Sequence, residues 1–215
     1  MEKPILKYHP SLLIVQKEKT NELLMSIYDN TYPLITYRNS ANLIGGNPSF
    51  KDKNPKEVLL REISEELNID SENIKNFAPK EDIKIIRESI LSGIIPFSDF
   101  FFQVDDILGG RKGYNAIGSV FYSKINNKIF KIVKKNLNQE REITTEGMIG
   151  IFNLEQLIKG GKFSTAHLTA PILNEFFKVS IPYPKEIKFS RFSFPKESFE
   201  NYFKEFTYEN GWRKN

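Results

Sequence analysis

The chain has 215 residues, enough to bury a substantial core. Its 40% apolar and 27% charged residues are ordinary for a globular protein. With no cysteine, disulfides, thiolate metal sites and a cysteine nucleophile are excluded. The net charge of +4 favours anionic ligands without specifying nucleic acid.

In chain order, residues 1–7 lack a long apolar stretch, so no signal peptide is expected. No apolar run approaches the ~20 residues that span a bilayer, and a cytoplasmic location without membrane contact is the expectation. His9, in a tyrosine-proline context, is expected at the surface. Ser11–Lys17 and Leu23–Tyr28 read as strands, and Asp29-Asn30 as a turn. Leu43-Ile44 leads into Gly45-Gly46, and a short loop reaches Asn54-Pro55. Asn54 suits a helix N-cap and Pro55 the first helical position. Leu59, Leu60, Ile63 and Leu67 make an apolar stripe at helical spacing over 54–68.

That helix carries the strongest chemical signal. Glu62, Glu65 and Glu66 fall at i, i+3 and i+4, so three carboxylates share one face. They repel one another unless a cation sits among them, and a hard divalent ion is one such cation. Taken alone, the three glutamates read as a solvated acidic face. Arg61 is four residues from both Glu57 and Glu65 and is placed to orient carboxylates.

Further along, 80–92 is a helix, and Phe97–Val104 and Ala116–Ser123 are strands. Residues 109–113, with three glycines and two basic side chains, read as a hairpin loop. Arg111-Lys112 and Lys134-Lys135 read as solvated basic clusters. Residues 126–136 are helical, Met148–Phe152 a strand, 154–159 a short helix and 165–178 a helix. His167 opens that last helix and reads as structural. The segment 179–215 holds ten aromatic residues, including Phe199, Tyr202, Phe203 and Phe206 at helical spacing. Such density is unlike a disordered linker. It is expected to dock on the chain's own core, with a homodimer interface as the alternative.

Residues 45–69 resemble the Nudix hydrolase pattern: Gly, five residues, Glu, seven residues, then Arg-Glu-apolar-x-Glu-Glu-x-Gly-apolar. Gly46 opens it, and Arg61-Glu62-Ile63-x-Glu65-Glu66-x-Asn68-Ile69 closes it. Three departures stand out. Lys53 occupies the position of the first Glu, Asn68 replaces the second Gly, and the loop after Gly46 is one residue longer. Asp52 is placed to stand in for the missing carboxylate, and Asn68 is expected to tolerate a left-handed helix end.

The resemblance implies an α/β fold, an α/β/α sandwich with a mixed central sheet, over residues 1–178, with 179–215 as an aromatic-rich extension. It implies Mg²⁺ or Mn²⁺ held by Glu62, Glu65, Glu66 and the carbonyl of Gly45. It implies hydrolysis of a pyrophosphate bond in a nucleoside diphosphate linked to another moiety. Arg61 would position carboxylates. Glu62, or Glu146 from a later loop, would take the proton of the attacking water, with Glu140 and Glu142 as competitors. Lys84 and Ile86 stand where some subgroups carry Pro and Tyr, and Pro96-Phe97-Ser98 is a faint echo of another signature, so no substrate is specified. A non-catalytic nucleotide-binding module is the alternative that Lys53 and Asn68 favour. An acidic helix on a protein of some other kind is the third reading.

Overall fold

The computed structural model describes residues 6–28, 30, 35–49, 51–69, 76–105, 114–144, 148–160, 165, 168–183 and 187–192. The expected turn at Asp29, the loop 109–113, Glu146, His167 and the aromatic run beyond Phe192 lie outside them.

The strands are β1 (Leu6–Tyr8), β2 (Ser11–Lys17), β3 (Glu22–Ile27), β4 (Ala41–Asn42), β5 (Ile44–Gly46), β6 (Ile95–Val104), β7 (Tyr114–Ile125), β8 (Met148–Asn153) and β9 (Ile187–Phe192). They form one mixed sheet with a central path β4-β3-β2-β7-β6-β9. β2 runs parallel to β7, and β2–β3, β2–β5, β6–β7 and β6–β9 are antiparallel. The helices are α1 (Pro55–Glu66), α2 (Lys80–Ser92), α3 (Asn127–Asn138), α4 (Leu154–Ile158) and α5 (Thr169–Phe177).

The two faces of the sheet carry separate cores. Leu13, Val15, Leu24 and Phe121 pack with Leu59 and Ile63 of α1 and with apolar residues of α2 and α3. Leu12, Ile14, Phe100 and Phe102 pack on the other face with α4 and α5. Alternate residues of β2 thus feed opposite cores, as the two-residue period of a strand requires. The fold is therefore the α/β/α sandwich with a mixed central sheet that the sequence leads one to expect. No helix among the described residues is long and apolar enough to cross a membrane.

The helix ends explain themselves locally. Asn54 Oδ1 accepts from the Glu57 N–H at 3.0 Å, with Pro55 in the first turn. Glu57 Oε2 accepts from the Lys53 N–H at 2.8 Å and Oε1 from Asn54 Nδ2 at 3.1 Å. Glu57 is thereby engaged by the helix cap and pairs there rather than with Arg61. Val58 joins Leu59, Ile63 and Leu67 in the buried face, whereas Leu60 is only partly covered. Leu67 caps the C-terminus with φ −96° and ψ 51°, and Asn68 has no positive φ. The helix therefore ends without a left-handed residue, and Asn68 is not used for that tolerance.

One further expectation is corrected. His9 is fully buried, because it lies between β1 and β2, both of which pair in parallel with β7 inside the sheet. Part of the segment after residue 178 returns to the sheet: β9 pairs with β6, and Phe189 stacks on Phe100 at 4.8 Å.

Candidate functional site

α1 lies against β5 and β2 with its apolar stripe down, which lifts Arg61, Glu62, Glu65 and Glu66 along the edge of Gly45-Gly46. Two close approaches fix that edge. A Cβ on Gly45, where φ is +129°, would fall 2.1 Å from the Ser11 carbonyl oxygen. A Cβ on Gly46 would fall 2.5 Å from the carboxyl carbon of Glu62. Glycine at 46 thus leaves the space in which the Glu62 carboxylate sits. Glu66 is buried at the helix end, and its Oε1 accepts from the Gly45 N–H at a long 3.4 Å.

Arg61 is the hub. Its Nε and Nη2 donate to the Asp52 carboxylate at 3.1–3.2 Å, and Nη2 also donates to the Asn47 carbonyl at 2.8 Å. Nη1 lies 2.8 Å from Glu62 Oε1 and 2.8 Å from Glu65 Oε2. Burial works against the guanidinium charge. The hydrogen bond to Asp52 and the charges of Glu62 and Asp52 outweigh it, so the Arg61 pKa rises above its already high value. Asp52 is buried and also accepts from the Ser49 N–H at 2.6 Å, which pins the loop. Lys53 is exposed, and the contacts of the guanidinium on this side go to Asp52. The extra residue in the loop therefore brings Asp52, one position earlier, to the guanidinium.

The structure brings together Gly45, Arg61, Glu62, Glu65 and Glu66. Their exposures differ: the side chain of Glu62 is 16% exposed and that of Glu65 55%. Among the described residues no three acidic or histidine side chains already converge as a metal-holding group. Glu62 and Glu65 turn to Arg61 Nη1 instead. The donor set still fits a hard divalent ion, since every group offered is a carboxylate oxygen or a backbone carbonyl. Releasing Nη1 would free both carboxylates while Asp52 and Asn47 keep hold of Arg61. Glu142 sits elsewhere: its N–H donates to the Asn76 carbonyl at 3.1 Å and its carbonyl accepts from the Ala78 N–H at 2.8 Å. Glu140 is exposed at a turn, with φ +54°.

Sequence reasoning missed a second polar group on the same face. Ser119 Oγ donates to Asp99 Oδ1 at 2.7 Å and lies 3.2 Å from His9 Nε2. Burial lowers the His9 pKa to about 3, so the ring is neutral at pH 7. Burial also raises the Asp99 pKa above its ordinary value, partly offset by the Ser119 hydrogen bond. Asp99 and Ser119 line a cleft of about 350 Å³ that opens beside the N-terminus of α1.

No family model matches the chain, and no curated protein matches it. Several solved structures resemble it at low identity. A MutT/Nudix family protein from Listeria innocua is 15% identical at a TM-score of 0.43, covering 81% of this chain and 94% of its own. A Nudix hydrolase from Alicyclobacillus acidocaldarius is 13% identical at 0.44, covering 83% and 100%. NrtR from Shewanella oneidensis is 10% identical at 0.44, covering 79% and 61%. What the site can do is carried by the chain's own residues.

Proposed function

We propose that the chain is an Mg²⁺- or Mn²⁺-dependent hydrolase that cleaves a pyrophosphate bond in a nucleoside diphosphate linked to another moiety. The supporting observation is the glutamate face of α1, seated on Gly45-Gly46 and organised by an arginine that Asp52 locks from behind. An acidic helix face without a function would be solvated. Here Glu66 is buried and Glu62 is nearly so, at a cost in desolvation that a cation or a donor must offset.

A divalent ion held here would neutralise pyrophosphate charge and would lower the pKa of the attacking water. Glu62, Glu65 and Glu66 are the side chains that would hold it, with the Gly45 carbonyl beside them. Arg61 positions Glu62 and Glu65 through Nη1, and Asp52 prevents the guanidinium from swinging into the site. Glu62, held against Gly46, is the first candidate to accept the water's proton. Glu146, which precedes β8 in the sequence, is the second.

The test is turnover of a panel of nucleoside diphosphate derivatives with Mg²⁺ or Mn²⁺, followed by identification of the products. Nucleoside monophosphate released from at least one substrate is the expected result. Comparing Glu62→Gln with Glu146→Gln assigns the base: the variant that loses ~10²-fold or more in turnover while keeping metal affinity carries it. One observation favours a second reading, a non-catalytic nucleotide-binding module. Arg61 Nη1 pairs with both Glu62 and Glu65, at 2.8 Å each. Nucleotide binding without turnover of any panel member, at saturating metal, would select that reading.

A further inference from the structure

A β-bulge places a carboxylate in the cleft beside α1. Along β6, Pro96 pairs with Phe121 and Ser98 with Val120, so Phe97 is one residue more than β7 matches. In a regular strand, residues three apart face opposite sides of the sheet. The extra residue places Pro96 and Asp99 on one face, that of α1, together with Phe121 and Ser119. Phe97 turns its ring to the other core, against Phe176 at 4.9 Å. The pocket therefore has an apolar wall of Pro96 and Phe121, a carboxylate floor at Asp99, and Asn54 and Lys56 at its rim. Its volume of about 350 Å³ falls within the ~300–1,000 Å³ of small-molecule sites.

The pocket is in line with the glutamate face. One register row crosses the sheet as Gly46, Ser11, Ser119 and Asp99. Glu62 sits over Gly46 at one end, and Asp99 closes the other. Three strand spacings separate them, about 14 Å. That separation matches a ligand whose phosphates lie at one end and whose base lies at the other, passing above the fully buried Ser11.

The hydrogen bonds decide which edge Asp99 can read. A serine hydroxyl has one proton, and Ser119 gives it to Asp99. The contact between His9 and Ser119 then requires the ring to donate from Nε2. The chain of donors runs from His9 through Ser119 and ends on the carboxylate. Asp99 is left with acceptor capacity alone, facing the pocket.

We propose that this cleft is the base subsite and that Asp99 selects a purine with two adjacent N–H donors, the guanine edge. The adenine edge offers an N–H beside a ring acceptor, and the acceptor would meet the carboxylate unpaired. The assignment rests on the reading of the chain as a nucleotide-acting protein, and it adds the base that protein prefers.

Equilibrium binding tests it without chemistry. Affinities for GMP, AMP and ribose 5-phosphate are measured by calorimetry in chelator, for the full chain and for Asp99→Asn, Ser119→Ala and Glu62→Gln. Melting curves accompany each variant. GMP should bind at least ~10-fold tighter than AMP, the discrimination of one charge-assisted hydrogen bond. Asp99→Asn, which presents a donor beside an acceptor, should weaken GMP by ~10–100-fold and bring AMP level with it or above. Ser119→Ala should reduce the GMP-to-AMP ratio by a smaller factor, and it decides the matter if Asp99→Asn does not fold. Glu62→Gln should keep the preference while losing turnover. A preference for GMP in a protein that hydrolyses nothing would leave the subsite standing and remove the hydrolase reading. GMP bound no better than ribose 5-phosphate, or a ratio unchanged in the Asp99 and Ser119 variants, overturns the proposal.

Discussion

Replacing Asp52 by Asn should uncouple the arginine hub from the loop while leaving shape almost unchanged. The carboxylate is 5% exposed and the guanidinium 24%, so water replaces little of what is lost. Two nitrogens of Arg61 contact it, at 3.1–3.2 Å. A hydrogen bond to a charged group is worth roughly 1.5–3 kcal/mol, and losing one partner of a fully buried pair costs roughly 3–5 kcal/mol. Arg61 keeps the Asn47 carbonyl, Glu62 and Glu65, and the amide introduced by Asp52→Asn keeps one acceptor oxygen for the Ser49 N–H. The lower end therefore applies, a loss of about 2 kcal/mol. For a domain of this size that is roughly 4–8 °C in Tm. Function should fall further than stability, because a freed Arg61 moves toward Glu62 and Glu65 and competes with the divalent ion. Thermal melts and the Mg²⁺ dependence of turnover read the two effects separately. Lys53→Ala is the control: its exposed side chain lies outside the network and should change stability by less than ~0.5 kcal/mol. A Lys53→Ala loss equal to that of Asp52→Asn, or an Asp52→Asn melt and metal dependence matching wild type, refutes the substitution of one carboxylate for the other.

Five other outcomes follow from the same geometry. Gly46→Ala should displace the Glu62 carboxylate, since the new Cβ meets it at 2.5 Å, and cut turnover ~10-fold or more. Its Tm should change little, because the displaced atoms are the far end of a flexible side chain; unimpaired turnover would remove Glu62 from the site. Glu66→Gln should abolish or greatly weaken turnover with little loss of folding, and near-normal activity at saturating Mg²⁺ would refute the metal assignment. His9 is held with a folded pKa of about 3 against 6.5 in the unfolded chain, so the unfolded state binds the extra proton as pH falls below 6.5. Stability should drop between pH 6.5 and about 3, at most ~1.4 kcal/mol per pH unit from this group, and denaturant titrations of His9→Gln should show a shallower slope over that window. Phe189→Ala, which removes a ring stacked on Phe100 at 4.8 Å and lying 5.3 Å from Phe102, should cost roughly 2–4 kcal/mol, and truncation at Val179, which deletes β9 entirely, should cost more; an unchanged melting temperature in the truncated chain would mean β9 contributes nothing to the sheet.

The local features of this protein were legible in its sequence because their causes are local. Asn54-Pro55 opened a helix where a cap and a preset φ coincide. The spacing of Leu59, Ile63 and Leu67 fixed which face of α1 is buried, and so fixed that Glu62, Glu65 and Glu66 share the other side. Alternating strands and helices announced a sheet covered on both faces. The exchange of Lys53 for Asp52 could be suspected from the one-residue insertion, because loop length alone decides which side chain reaches Arg61.

Tertiary structure decided the rest. His9 looked like a terminal surface residue; parallel pairing of β1 and β2 with β7, more than a hundred positions away, buries it. Glu57 stood four residues from Arg61, as close in spacing as Glu65, and the cap claimed it because the Lys53 N–H and the Asn54 side-chain amide hold its two oxygens. Asp99 drew no attention in a strand full of phenylalanines. Its place on the α1 face depends on one extra residue at Phe97, which re-phases the strand against β7, and a bulge is visible only once the partner strand is known. Register joins residues through pairing across the sheet, and no pattern along a single chain records which row Gly46, Ser11, Ser119 and Asp99 will share.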